Sequence, residues 1–274
     1  MATTYLSFSI QQIPCSAVGL AIPFLATFSV YNLNRKTDGD EDAINCQDRY
    51  AFTRRYEHIL FGSALAAIAI AMILAGLSGV PVMVLTASPF LFGILYSVRW
   101  LPPVSRYRRL KEIPVVKNLV VGLSWSVPAS LLPVYLSGAG PTVRTALVCT
   151  LFFLWGFIAS TAPDIRDRAG DAHAGMKTIP VLIGEHRTLR LLLWINLIAG
   201  SLIIVAGLAF FPLLITGLLA AVILYSQTCL FILGRPSLRD FACDVLIDGQ
   251  YLLIGCALLA LTLLHVAPGS LAVG

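Results

Sequence analysis

Two groups of carboxylates in this 274-residue chain are spaced as if each shared one helix face. Asn34, Asp38 and Asp42 recur every fourth residue, which on a helix stacks them about 6 Å apart along the axis. Asp164, Asp167 and Asp171 follow one another at i, i+3 and i+7. Each group comes directly after an apolar run. Clustered carboxylates repel one another unless a cation neutralises them. Hard oxygen ligands suit Mg2+, which completes its octahedral shell with waters and phosphate oxygens. Two such faces at the ends of apolar helices suggest divalent cations holding something polyanionic. A calcium loop is excluded for the first group. Counted from Asp38, the required glycine is Ala43 and the terminal glutamate is Arg49.

Cations suited to a polyanion lie between and beside the acidic groups. Tyr107, Arg108, Arg109 and Lys111 precede Lys117 and Asn118 at the start of an apolar run, and Lys177 sits in a tight loop between Gly175 and Pro180. Arginine grips phosphate oxygens in pairs, whereas lysine is a compact point charge. Loop topology alone accounts for most of the arginines. Lys111 and Asn118 are the better functional candidates. A third acidic row, Asp240, Asp244 and Asp248, is placed equally well to favour a helix N-terminus or to form a polar wall of the site.

The elements that hold these residues must be membrane helices. The chain is 58% apolar and 12% charged, against about 25% charged in a typical soluble domain, and its mean hydropathy is strongly positive. Eight apolar segments are long enough to span a bilayer, which takes about 20 residues each. They run approximately over 13–31, 58–77, 80–98, 118–136, 143–161, 189–211, 213–233 and 245–266. Every lysine and arginine except Arg144 lies in four long connections on one side, over 34–57, 99–117, 163–190 and 234–244. The positive-inside rule makes that side cytoplasmic and puts both termini outside. The net charge of +5 is spread over these loops, so nucleic acid is not an expected partner. No protein partner is evident either. Met1 to Gln12 lacks a signal-peptide pattern, and the six cysteines show no C-x-x-C spacing. The expected architecture is one all-α polytopic bundle over residues 1–274, with one chemically equipped face.

These motifs together resemble the UbiA superfamily of intramembrane prenyltransferases. Asn34, Asp38 and Asp42 match its N-x-x-x-D-x-x-x-D signature. Asp167, Asp171 and Gly175 match its D-x-x-x-D-x-x-x-G, with Asp164 one turn earlier. Tyr107 and Lys111 match its Y-x-x-x-K, and Asn118 its polar residue seven positions later. The resemblance implies helices around a cavity that opens sideways to lipid. It further implies Mg2+ on Asp38, Asp42, Asp167 and Asp171 as the catalytic metal ligands. Asn34, Tyr107, Lys111, Asn118, Asp164 and Lys177 would bind the isoprenyl diphosphate. The implied reaction moves the isoprenyl group to a lipophilic acceptor, such as an aromatic quinone precursor or another lipid, through an allylic carbocation. Trp125, Phe152, Phe153 and Trp155 are candidates to line the tail, although ordinary helix packing explains any one of them equally simply. Family members usually have nine spans, with the first acidic motif ending the second. Here one span precedes Asn34, and Met1 to Gln12 is too short and polar to be another, so the family's first helix is expected to be missing.

Three rivals remain to be weighed. A terpene cyclase of the same fold would close the cation on its own chain without an acceptor. A cation transporter would place carboxylates near the bilayer midplane, whereas these sit at helix ends. A CDP-alcohol phosphotransferase would need Ala and Arg where this chain has Asp42 and Ala43.

Overall fold

Lipid offers no hydrogen bonds to the backbone, so an apolar run inside a bilayer must become a helix. A computed structural model of the chain describes residues 2–37, 47–97, 102, 109–173 and 175–263, and among these there is no strand. The helices are α1 (Ala2–Gln11), α2 (Ala17–Thr37), α3 (Gln47–Arg55), α4 (Glu57–Ser78), α5 (Val80–Ser97), α6 (Val116–Leu136) and α7 (Val143–Arg166). They continue as α8 (Arg168–His173), α9 (Ile179–Ile183), α10 (Glu185–Phe210), α11 (Leu213–Leu233) and α12 (Asp248–Leu263). A helical turn at Arg239–Phe241 and a π-helical stretch at Ala242–Ile247 lead into α12 without a break.

Each of the eight expected apolar segments falls on a helix. Six of these, α2, α4, α6, α7, α10 and α11, are long and apolar enough to cross a membrane, while the apolar stretch of α5, Val80–Tyr96, is shorter. The chain is an integral membrane protein with an all-helical bundle fold.

Small residues let the helices approach closely, because lipid provides no hydrophobic drive between them. On α4, Ala64, Ala67, Ala71 and Ala75 form a buried stripe, and the Ser29 hydroxyl of α2 donates to the Ala64 carbonyl at 3.1 Å. α6 and α7 meet at Gly122 and Gly156. A Cβ placed on Gly156 would sit 3.1 Å from the Cα of Gly122. α10 and α11 lock where Gly200 receives Ile223, and the Asn196 amide donates to the Ile223 carbonyl at 3.1 Å and to Gln227 at 2.7 Å.

The stretch set aside as too polar for a span is the ten-residue helix α1, and it is buried. Gln11 ties it to its neighbours. The Gln11 amide donates to Ser7 and to the Ser130 carbonyl of α6, both at 2.9 Å, and its oxygen accepts from Thr145 of α7 at 2.7 Å. Its other end packs Ala2 against Gly255 of α12. α1 therefore ties the C-terminal helix to the middle of the bundle. The main core gathers α7, α10, α11 and the lead-in to α12 around Leu151, Trp155 and Ile158. A separate small core of Ile22, Ala75, Val82 and Leu132 joins α2, α4, α5 and α6 at the end of the bundle away from the acidic motifs.

Candidate active site

The Gly122–Gly156 crossing sets the register of the polar residues beyond it. One turn from Gly122 stands Asn118. One and two turns from Gly156 stand Ser160 and Asp164. Asn118, 1% exposed, donates to Asp164 and to the Ser160 hydroxyl, each at 3.3 Å. Lys117, next along α6, donates to the other oxygen of Asp164 at 2.7 Å. Asp164 is buried, and a buried carboxylate is stable only when charge and hydrogen bonds compensate it. Both conditions are met here, and Asp164 holds these two donors in place, one on each oxygen.

α7 ends at Asp167, whose N–H caps the helix on the Pro163 carbonyl at 2.9 Å. The chain resumes as α8 almost in register, and the Asp171 N–H bonds back to the Asp167 carbonyl at 2.9 Å. Gly175 then takes a φ of +72°, which glycine adopts without strain, and the Met176 N–H returns to the Asp171 carbonyl at 2.8 Å. This loop brings Thr178 back beside Asp171, with Lys177 just before it in the loop and α9 starting behind it.

The two carboxylates of the D-x-x-x-D motif have different surroundings. Asp167 is gripped side-on by Arg166, with Nε 2.9 Å from one oxygen and Nη2 3.4 Å from the other. Arg166 also donates from Nη1 to Asp244, in the π-helical lead-in to α12, at 2.8 Å. Each Asp167 oxygen keeps lone pairs for a further ligand. Asp171 has one buried oxygen with no hydrogen-bond partner. Burial pushes its pKa up, as do Asp164 and Asp167 nearby, while Lys117 and the Thr178 hydroxyl pull it down. A half-buried carboxylate with an orphaned oxygen beside two more carboxylates fits a hard cation.

Among the described residues, no three carboxylate, histidine or cysteine side chains converge tightly enough to hold a metal by themselves. Asp38 and Asp42, expected to supply the other ligands, lie outside the described residues, as does Tyr107. Lys111 falls in the 3-10 turn Leu110–Glu112, with its side chain outside them, and Asn34 stands in the last turn of α2. The structure thus gathers Asn118, Asp164 and Asp171 around Lys117. It leaves Asp240 exposed on the surface.

Next to this cluster is a cavity of about 380 Å³ lined by α1, α2, α5, α6, α7 and α12. Ser160 lines it while also accepting from Asn118, so the polar cluster and the cavity share a wall. Asp248 is the one charged residue in the described lining, beside Tyr251 and Tyr31. The helix runs unbroken through this position from the π-helical stretch, so Asp248 stands in the cavity wall and not at a free helix N-terminus. Three of the four expected aromatics, Trp125, Phe152 and Trp155, line the cavity. Phe153 instead packs over Gly122. Lys117, Ser160 and Arg166 were not singled out as site residues by sequence reasoning. A lysine at a span boundary next to Asn118 and a serine one turn before Asp164 were the available signals.

Comparison with known proteins agrees with this fold. The sequence profile of the UbiA prenyltransferase family matches residues 1–242. The apo structure of a UbiA homolog from Aeropyrum pernix K1 superposes with a TM-score of 0.73 at 17% identity, covering 94% of this chain and 95% of that one. A UbiA homolog from Archaeoglobus fulgidus bound to GPP and Mg2+ gives 0.64 at 18% identity over 94% of both chains. The same archaeal homolog bound to DMAPP and Mg2+ gives 0.63 at 18%, again over 94% of both. No curated protein sequence gives a significant match.

Proposed function

We propose that this chain, which belongs to the UbiA prenyltransferase family, transfers an isoprenyl group from its diphosphate to a lipophilic acceptor with Mg2+. The observation that carries this reading is the wall shared by the Lys117–Asp164–Asn118 cluster and the apolar cavity, with Ser160 belonging to both. A substrate with a polyanionic head and an apolar tail meets complementary chemistry on each side of that wall. The relatives from Archaeoglobus fulgidus, bound to GPP or DMAPP with Mg2+, support the same substrate class.

Asp167 and Asp171, together with Asp38 and Asp42, would hold the metal. Bound Mg2+ would supply charge neutralisation of the diphosphate as it departs. Lys117, Lys111 and Lys177 would hold the diphosphate by charge, and Asn34, Asn118 and Tyr107 by hydrogen bonds. Asp164 would keep Lys117 and Asn118 aimed. As the bond from the allylic carbon to the diphosphate breaks, the diphosphate takes the electron pair. The apolar cavity excludes water from the allylic cation until the acceptor captures it with an electron pair and gives up a proton, which leaves the product neutral. The basic loops would face the cytoplasm.

The deciding experiment incubates purified protein with Mg2+ and an isoprenyl diphosphate, with and without candidate acceptors, and identifies the products. Prenylated acceptor formed only with Mg2+ supports the transferase. A cyclised hydrocarbon formed without acceptor would instead identify a cyclase of the same fold. Asp167→Asn is expected to nearly abolish diphosphate release while the protein still inserts, and so is Asp38→Asn. Full activity in both variants would remove the metal assignment.

A further inference from the structure

Capture of an allylic cation by a hydroxyl compound leaves one proton too many on the product. A base must take that proton, and it must stand beside the new bond to do so. Among the described residues, one carboxylate lies in the cavity wall, Asp248 at the start of α12. A charged side chain among apolar ones in a membrane protein is costly, and such residues mark function. Asp248 keeps exposed surface, and so does Tyr31 of α2 at 61%, which leaves both open to a ligand. Both also lie within electrostatic reach of the Tyr251 hydroxyl. The carboxylate and the two phenols form one polar corner of the cavity.

Two contacts between α7 and α12 fix how deep this corner lies. Arg166, at the end of α7, reaches Asp244, ahead of α12, at 2.8 Å. Farther from the acidic end, Trp155 of α7 meets the Tyr251 ring edge-on at 5.9 Å. The numbering rises along α7 toward the acidic end and falls along α12, so the two helices run antiparallel here. From the Trp155–Tyr251 contact, Ser160 lies five residues, about 7.5 Å, toward the acidic end. Asp248 lies three residues, about 4.5 Å, in the same direction. Asp248 therefore stands on the stretch of wall where the cavity meets the Asn118–Ser160 pair. The reacting carbon behind a diphosphate held at Asn118 and Lys117 would enter the cavity along this stretch.

We infer that Asp248 is the proton acceptor of the transfer step, and that the second substrate presents a hydroxyl to it, as a phenol or an alcohol. This rests on the proposed function, which supplies the cation. As the new bond forms, the electron pair of the second substrate goes to the allylic carbon and its proton passes to an oxygen of Asp248. The products are a neutral prenylated compound and a protonated Asp248. Through its exposed side Asp248 returns the proton to water once the product leaves. A phenol can bond through a ring carbon or its oxygen, and an alcohol through its oxygen. Each releases one proton.

The test follows the fate of released diphosphate, using full-length protein in detergent with Mg2+ and geranyl diphosphate. The second substrates are 1-naphthol and a hexadecyl glycerol monoether, each beside its fully O-methylated analogue. The quantity measured is the fraction of released diphosphate matched by prenylated product. Because it is a ratio within one protein, partial loss of folded material does not affect it. At least one hydroxyl compound should be prenylated about tenfold more than its methyl ether, and which one tells phenol from alcohol. In Asp248→Asn the fraction should fall about tenfold or more, replaced by prenyl alcohol and elimination hydrocarbon. Asp248→Glu should keep part of it, and added acetate should raise it about threefold in Asp248→Ala, an effect that a structural role would not produce. An unchanged fraction in Asp248→Asn and Asp248→Ala would overturn the inference. So would loss in Asp248→Glu combined with no rescue by acetate, or Mg2+-dependent diphosphate release with neither hydroxyl compound prenylated. A fall in diphosphate release at an unchanged fraction would overturn it too, by giving Asp248 a part in forming the cation. Absence of any Mg2+-dependent diphosphate release by the unaltered protein would instead overturn the proposed function.

Discussion

Lys117 and Asp164 form a salt bridge of 2.7 Å across the α6–α7 crossing, with the carboxylate side chain 7% exposed. Removing one member of such a pair leaves an uncompensated buried charge, at a cost of about 3–5 kcal/mol. Lys117→Met and Asp164→Leu should each lower the melting temperature of the purified protein clearly. The double variant should recover most of that stability, because it removes both charges together. It should not recover Mg2+-dependent diphosphate binding, which needs the cation and the aim of Asn118. Equal stability of single and double variants would show that the pair is not coupled.

The backbone contact between Gly122 and Gly156 leaves no space for a side chain. Gly156→Val must push α6 and α7 apart, and overpacking of this kind costs about 1–3 kcal/mol. Since Asn118 and Asp164 lie one and two turns beyond the crossing, diphosphate binding should fall further than stability alone explains. Comparing binding per folded molecule with the melting temperature separates the two effects.

The acidic turn should give Mg2+ binding an unusual pH dependence. The Asp171 pKa is raised chiefly by burial, so its ionised form costs the metal-free protein stability at neutral pH. That cost disappears as the pH falls through the raised value. Cation binding has the opposite sign, because it requires the ionised form. Binding is full well above the raised pKa and is lost on acidification from a pH higher than an ordinary aspartate would give. Asp171→Asn should abolish binding and flatten the pH dependence of the metal-free melting temperature. An unchanged pH profile in that variant would assign the titration to another group.

Asp244 does not face the cavity, yet it anchors the arginine that grips Asp167. Outer partners of metal ligands typically contribute 10–100-fold in affinity. Asp244→Asn should weaken Mg2+-dependent diphosphate binding about tenfold with little change in melting temperature. An unaltered Mg2+ titration would show that Arg166 needs no second anchor.

The sequence revealed the spans and the motif spacings because both follow from short-range rules. Apolar runs must be helical in lipid, and carboxylates four apart share a face. It could not reveal which side chains use one another. Only when α6 is laid against α7 does Asp164 show as the anchor of Lys117 and Asn118. Helix α1 was invisible for a related reason. A hydropathy count penalises Gln11 as polar, whereas its hydrogen bonds are supplied by Ser130 and Thr145, more than a hundred positions away. Asp248 was undecided between a helix end and a wall because the π-helical stretch that removes the helix end has no clear signature in composition.

The placement of α1 also has a consequence for how the bundle holds together. Gln11 at one end is bonded to α6 and α7, while Ala2 at the other rests on Gly255 of α12. A ten-residue helix is therefore a strut between segments far apart in the chain. Loosening it would release α12 from the central pair without breaking a bond within any of those three helices.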